Sequence, residues 1–473
     1  MKTSGLDLLL THAYYLCDDP HEAEIMRPFP PLGLQYLVAF LKANLCENVD
    51  WLDATFHDSP ENFQSVMEIE KPRAVGFYGH TITRPRMIEL VHHSIAQGCR
   101  VMAGGPDPVQ YLDEYFEMGV EVIVIGEGEH TLLELMQHLK QNNWQWDWES
   151  LHQVNGIAFC HGGTIVRTKA RRLIRPLDVL PWPERRRKDL EPYLDAWRQR
   201  HGETALSMVT SRGCPYHCSW CSKQVYGDTF RRRSVDDVID ELMHLKAEYN
   251  PDQIWFADDL FTINKSWIRR FCSEMVRRKA VTPFYIIGRP ETFTQALCED
   301  LKKAGCFRVY LSAESGSQLV LDAMHKDDRV EHIITATRLL QAAGIEVGFF
   351  VMIGYPGERW VDLKATVRML HALQPDVTLL SVAHPMKGTQ FYEQVENRLT
   401  PQRNEGGRLA FEQDYSPLFY DWVQRWIWSE TKLVQDLKNR RLSTSTIKNA
   451  IKTPIYRLSS ASLARIEGAL RGY

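Results

Sequence analysis

From residue 205 onward the chain repeats one pattern six times: a short apolar run, then a longer amphipathic stretch. The runs are "ALSMVT" (205–210), "QIWFA" (253–257), "FYIIG" (284–288), "FRVYLSA" (307–313), "VGFFVMI" (347–353) and "VTLLSV" (377–382). Short apolar runs separated by helix-length segments predict parallel strands joined by crossover helices. Six such units predict a partial or complete parallel β/α barrel, in which chemistry sits at the C-terminal ends of the strands. The first intervening segment, "SVDDVIDELMHLKAEY", opens with a serine cap and an acidic first turn.

The first 150 residues alternate in the same way. Strand candidates are "LDLLL" around residues 7–10, "VDWLD" (49–53), "RAVGFY" (73–78), "RVMAG" (100–104) and "EVIVIG" (121–126), with helical stretches such as "LGLQYLVAFLKANL" and "PRMIELVHHSIAQG" between them. This predicts a doubly wound, Rossmann-like α/β domain over 1–150. "GIAFCHGGTIVRTK" (156–169) reads as a hairpin on a Gly-Gly turn, and the proline-rich, charged "RPLDVLPWPERRRKD" as a linker. The expected organisation is therefore α/β: 1–150 Rossmann-like, 151–200 hairpin and linker, 201–395 barrel, 396–473 helical.

At 473 residues the chain has room for several cores, and a net charge of −4 argues against a nucleic-acid partner. No run approaches a membrane span, and "MKTSGLDLLLTHAYY" lacks the apolar core of a signal peptide. The expected location is the cytoplasm. Of ten cysteines, Cys17, Cys46, Cys99, Cys160, Cys272, Cys298 and Cys306 are scattered and read as inert thiols. The other three, Cys214, Cys218 and Cys221, share one loop directly after the first barrel strand. A structural zinc site wants four ligands, and here only His217 could join the thiols. A [4Fe–4S] cluster held by three thiolates keeps one iron open for a substrate or cofactor. Zinc, unligated thiols and an iron–sulfur cluster are the alternatives.

Cys214-Pro-Tyr-His-Cys218-Ser-Trp220-Cys221, a C-x3-C-x2-C with an aromatic before its last cysteine, resembles the signature of the radical S-adenosylmethionine (SAM) superfamily. The resemblance implies a cluster on Cys214, Cys218 and Cys221 whose open iron chelates SAM, with electrons from a flavodoxin- or ferredoxin-type donor. It carries over position by position. Asp258 and Asp259 in "FADDLFT" stand where the family contacts the methionine amino group, their alternative reading being a helix N-cap. Glu314 and Ser315 match the ribose-contacting pair, and Gly354 falls in the turn near the adenine. Trp220 is the aromatic of the signature. Arg289 is placed to meet a SAM carboxylate or to make a plain salt bridge.

The N-terminal half has Gly-rich turns that begin helices, "MAGGPDPV" with Gly104 and Gly105 and "VIGEGEHTLLEL" with Gly126. Either could seat a phosphate or other polar group. Their order and spacing, with "PFPPLGLQYLVAFL" and "GFYGHTITRP", resemble the cobalamin-binding domain found ahead of radical SAM barrels. The D-x-H-x-x-G motif that supplies a cobalt ligand is missing, its nearest match being Tyr78-Gly79-His80-Thr81-Ile82-Thr83. The resemblance implies a cobalamin-dependent radical SAM enzyme that methylates an unactivated carbon of a small-molecule or lipid substrate. The alternatives are a cyclase or oxidoreductase without methyl transfer, or a member that has lost cobalamin. At the C-terminus, the aromatics at 419, 422, 426 and 428 read as core packing. From residue 431 onward nine Lys/Arg outnumber two acidic residues, Asp436 and Glu467, which reads as a solvated face or a weak membrane-surface contact.

Overall fold

The computed structural model describes residues 5–44, 48–223, 225–403, 408–438 and 444–471. Cys46 and the basic positions 440 and 441 lie outside the described residues. The chain packs as two compact units. One holds the chain through Pro215 together with Ser222–Trp255; the other holds Tyr216–Cys221, then Phe256 to Arg403 and Leu409 onward.

In the first unit, β1 (Leu8–His12), β2 (Val49–Leu52), β3 (Ala74–Tyr78), β4 (Arg100–Gly104) and β5 (Val122–Val124) pair in parallel. Successive side chains of a strand point to opposite faces. Leu8 and Leu10 accordingly join one core with Val38, Trp51, Leu135 and Met136, while Leu9 joins another with Phe63, Val75, Phe77, Leu90 and Tyr115. Helices Leu32–Ala43 and Gly128–Gln141 supply the first core, Glu61–Glu70 and Arg84–Ala96 the second. A sheet buried on both faces is the doubly wound arrangement expected.

The hairpin β6 (Ile157–His161) and β7 (Thr164–Arg167) does not stand apart as a connector. It extends the same sheet antiparallel, in the order β2-β1-β3-β4-β5-β6-β7. Nor is the following stretch only a linker. Residues Arg187–His201 form a helix that buries Leu190, Tyr193, Leu194 and Trp197. Tyr193 donates to Asp53 at 2.6 Å, and the Trp197 indole donates to the Pro28 carbonyl at 2.9 Å, so this segment belongs to the first unit.

β8 (Ala205–Met208) opens the second series. Two short strands, β9 (Ser211–Arg212) and β10 (Arg231–Arg232), pair antiparallel on either side of the cysteines. Helix Val235–Tyr249 follows, and Ser234 caps it by accepting from Asp237 N, as its sequence predicts. Then come β11 (Gln253–Phe256), β12 (Phe284–Gly288), β13 (Cys306–Glu314), β14 (Glu346–Ile353) and β15 (Val377–Val382). The sheet order β15-β14-β13-β12-β11-β8 keeps the chain order of the series, a half-barrel of parallel strands rather than a closed one. In the second unit an aromatic cluster of Phe256, Phe261, Phe271 and Phe284 anchors the start of this run. β16 (Leu399–Arg403) and β17 (Leu409–Phe411) pair antiparallel, and helices Pro417–Lys438 and Thr444–Arg471 end the chain.

Candidate active site

The cysteine loop divides between the units: Cys214 belongs to the first, Cys218 and Cys221 to the second. None of the three is in a disulfide. Among the described residues no three Cys, His, Asp or Glu side chains gather as ligands of a single ion. A [4Fe–4S] cluster makes a different demand, one thiolate per iron, and the donor set of this loop meets it in kind and number.

Within the second unit the loop is tied down by polar contacts. Ser219 donates from its backbone N and from its Oγ to the Met324 carbonyl, each at 3.0 Å, and its Oγ lies 2.7 Å from the Tyr355 hydroxyl. Its own carbonyl accepts from Phe391 N. Trp220 packs on the cluster of Val320, Met324, Tyr355, Ala383 and Phe391. Lys326, buried, has its Nζ 5.5 Å from the Trp220 ring and 3.7 Å from Glu314 Oε1.

Glu314 ends β13 where the register with β14 slips, and its φ of +57° is one that a non-glycine residue rarely adopts. Burial pushes its carboxyl above the ordinary range, and Lys326 draws it back. On the same strand Ser312 Oγ is buried with no partner among the described residues. A strained carboxylate and an orphaned hydroxyl at a strand's C-terminal end suit a polar ligand rich in hydroxyls. Ser315 does less than expected of it. Its Oγ lies 3.1 Å from Thr366 Oγ1 and accepts from Ser317 N, so it shapes the turn that carries Glu314.

Asp258 is buried and Asp259 exposed, both just beyond β11. The N-cap reading fails for both, because Asn264 caps helix Lys265–Arg277 by accepting from Trp267 N at 3.0 Å. Arg289 is fully buried and committed. It pairs with Glu291, donates to the Lys326 and Asp327 carbonyls at 2.7 and 2.9 Å, and stacks 3.6 Å above the Tyr216 ring. It therefore realises the salt-bridge alternative and braces the loop through Tyr216. Gly354, with φ +76°, gives its N–H to Glu358, and a Cβ there would fall 2.6 Å from Gln413 Nε2 and 3.0 Å from Tyr420. Its close neighbours are thus C-terminal side chains.

In the first unit Gly104 ends β4 and Gly105 follows it. A Cβ on Gly105 would stand 2.6 Å from the Gly79 carbonyl, so two bare backbones meet at the ends of β3 and β4, beside a half-exposed Tyr78 ring. Bare backbone and an aromatic face at the C-terminal edge of a parallel sheet fit a large planar cofactor. The turn at Gly126 behaves differently from the phosphate seat its glycines suggested. Glu127 and Glu129 are buried there, and carboxylates repel a phosphate. Arg212 donates to Glu127 at 2.8 Å and to Glu129 at 2.5 Å, and Arg231 donates to Glu127 at 2.8 Å. Glu127 also accepts from Ile174 N. These carboxylates thus clamp β9 and β10, the stem of the cysteine loop. The sequence signal for this clamp was the GEGE turn together with arginines flanking the cysteines.

Comparison with known proteins agrees with this geometry. Residues 23–136 match the B12 binding domain and residues 208–370 the radical SAM superfamily. These matches and the fold define a radical SAM enzyme with an N-terminal cobalamin-binding domain. An uncharacterised methyltransferase of Pyrococcus horikoshii is 28% identical over 77% of this chain and 78% of its own length. The anaerobic magnesium-protoporphyrin IX monomethyl ester cyclase of Cereibacter sphaeroides is 28% identical over 80% of this chain, which spans 62% of that protein. The radical SAM methyltransferase TsrM from Kitasatospora setae, solved with cobalamin and a [4Fe–4S] cluster, shares the fold at a TM-score of 0.69 and 20% identity, over 84% of this chain and 76% of its own. The cobalamin-dependent radical enzyme OxsB does so at 0.74 and 18%, over 96% and 72%. The chain thus joins a B12 binding domain to a radical SAM domain, and the proteins it is similar to include both methyltransferases and a cyclase.

Proposed function

We propose that this chain methylates an unactivated carbon of a small molecule, with Cys214, Cys218 and Cys221 as the cluster ligands. The observation that carries the reading is the pairing of a B12 binding domain with a radical SAM domain in one chain. When bound, the cluster with SAM supplies a carbon-centred radical and cobalamin supplies the methyl group. The chain supplies placement and dryness. Ser219, Tyr355 and Arg289 fix the loop, and Trp220 closes one side of it. Asp258 and Asp259 accept from the SAM ammonium, and Glu314, neutralised in part by Lys326, accepts from its hydroxyls. Ser315 and Gly354 shape the two turns around it. Gly104, Gly105 and Gly126 give backbone contacts to cobalamin. The first functional domain takes in the β6–β7 hairpin and helix Arg187–His201 beyond residue 150, the second runs 201–395, and the region 396–473, expected to be helical, opens with the β16–β17 hairpin before its two helices.

The electron donor is of flavodoxin or ferredoxin type, since cleavage of SAM needs one low-potential electron. The location is the cytoplasm, in keeping with nine described cysteines of which none is in a disulfide. Among the described residues no helix is long and apolar enough to cross a membrane.

The test is purification without oxygen from cells supplied with cobalamin, with iron, sulfide and cobalamin measured together. About four irons with near-stoichiometric cobalamin, and release of S-adenosylhomocysteine beside 5′-deoxyadenosine on turnover, support methyl transfer. A cluster that cleaves SAM in protein that takes up no cobalamin would sink it. That outcome moves the assignment to cyclisation or oxidation, the second reading, which the similarity to the cyclase favours.

A further inference from the structure

The last two helices pair antiparallel with their polarity reversed. Thr446 donates to Asp436 at 2.8 Å and Thr453 to Ser429 at 3.0 Å, while Glu467 accepts from Ser416 N and Oγ at 2.7 and 2.6 Å. Trp422 meets Tyr456 at 5.5 Å. The inner face of helix Thr444–Arg471 is thus threonine, asparagine, serine, alanine and glycine (Thr446, Asn449, Thr453, Ser460, Ala464, Gly468). A helix on a globular surface normally turns its apolar stripe inward. Here Ile447, Ile451, Ile455, Leu458 and Ile466 point outward, each 52–67% exposed. Their spacing places them on one face at 3.6 residues per turn.

Charge accompanies the stripe. By the same helical spacing Lys448 and Lys452 lie along one edge of it and Arg457 along the other, all exposed, with Arg465 among the isoleucines. The helix has one acidic side chain, Glu467, and Ser416 holds it. Among the described residues no helix is long and apolar enough to cross a membrane; an exposed apolar stripe bordered by basic side chains suits an interface plane.

We propose that helix Thr444–Arg471 is an in-plane docking surface for an anionic lipid bilayer. The isoleucine stripe enters the acyl boundary, and Lys448, Lys452, Arg457 and Arg465 meet the acidic headgroups. An apolar face alone would suit a second copy of the chain equally well. The basic edges with no exposed acidic counterpart on this helix select a negatively charged surface instead. The inference stands on this hairpin alone and does not depend on which reaction the enzyme catalyses.

Flotation of the full-length protein with vesicles tests it. The chain is expected to float with phosphatidylcholine vesicles containing phosphatidylglycerol and to remain behind with pure phosphatidylcholine. Ile451→Asp with Ile455→Asp should lower the bound fraction at least about tenfold, since both side chains lose their place in the acyl boundary. Lys448→Gln with Lys452→Gln should lower it about 25-fold, about a fivefold loss per neutralised cation, with far-UV circular dichroism unchanged in both variants. Three results would overturn the proposal: no flotation of the wild type with anionic vesicles, flotation indifferent to the isoleucine changes, or a wild-type dimer that those changes dissolve without any vesicle binding.

Discussion

Glu127→Ala should be among the costliest single substitutions in the first unit, and the structure says why. Glu127 accepts from Arg212, from Arg231 and from Ile174 N, all buried. Arg212 keeps a second carboxylate, Glu129, but Arg231 has no other anion among the described contacts. Its Nη1 retains the Ile174 carbonyl, and its Nε and Nη2 already lack partners among the described residues. Removing Glu127 therefore strands a buried guanidinium, which costs about 3–5 kcal/mol. Glu129→Ala leaves Arg212 paired with Glu127 and loses one charge-assisted hydrogen bond, about 1.5–3 kcal/mol. Asp195→Ala removes an exposed partner of Arg198 and should cost under about 1 kcal/mol. Urea unfolding followed by far-UV circular dichroism would rank the three, with bound iron measured in parallel because Arg212 and Arg231 sit on the stem of the cysteine loop. A Glu127→Ala variant within about 1 kcal/mol of wild type, or less costly than Glu129→Ala, would refute the clamp.

Cys214→Ala, Cys218→Ala and Cys221→Ala should each abolish 5′-deoxyadenosine production under reducing, oxygen-free conditions; any one that retains full activity removes that residue from the ligand set. Glu358 is buried, with Oε1 unpartnered among the described residues, and burial pushes its carboxyl up to about 8. The folded chain thus holds a proton that the unfolded chain releases near pH 4.5, so the stabilisation is complete below about pH 4.5 and lost as the pH climbs to about 8. Glu358→Gln should flatten that decline, worth on the order of 4–5 kcal/mol at its limit, in unfolding midpoints measured across the window. Arg289→Lys should cost about 2–3 kcal/mol by losing the fork that joins Glu291 to two carbonyls, with the KM for SAM unchanged; a raised KM at undiminished stability would return Arg289 to the SAM carboxylate.

What the sequence discloses here follows from what each element is made of. The barrel strands could be read because "FRVYLSA" or "VGFFVMI" has no use except inside a sheet flanked by helices, and the flanking helices show clean caps at Ser234, Asn264 and Thr294. β9 and β10 could not, because two-residue strands built of Ser211, Arg212, Arg231 and Arg232 have no apolar period to detect. The helix Arg187–His201 was hidden by the proline and arginine run before it, although Leu190, Tyr193, Leu194 and Trp197 carry its stripe. Asp258 and Asp259 looked like caps because their distance to the next helix was unknown. Phe261, packed on Phe256, Phe271 and Phe284, delays that helix to Lys265. Of the aromatics near the C-terminus, Phe419 and Trp426 are core as expected, whereas Trp428 is exposed.

The cysteine loop itself poses the sharper physical problem. A short loop whose large apolar side chains are only Tyr216 and Trp220 buries too little apolar area to fix its conformation by itself. Here order is imposed from outside the segment, by the apolar cluster under Trp220 and otherwise by polar means. Ion pairs to Glu127 and Glu129 set the stem, hydrogen bonds from Ser219 to Met324 and Tyr355 set the middle, and Arg289 stacked on Tyr216 sets the approach to Cys218. Buried ion pairs return little net stability, but they tolerate few alternative registers, since a shifted partner leaves a charge unpaired. That is the property a ligand loop needs. With the proposed ligand set, three thiolates must be presented to three irons in one arrangement, and hydrophobic packing alone, which is non-directional, would allow several.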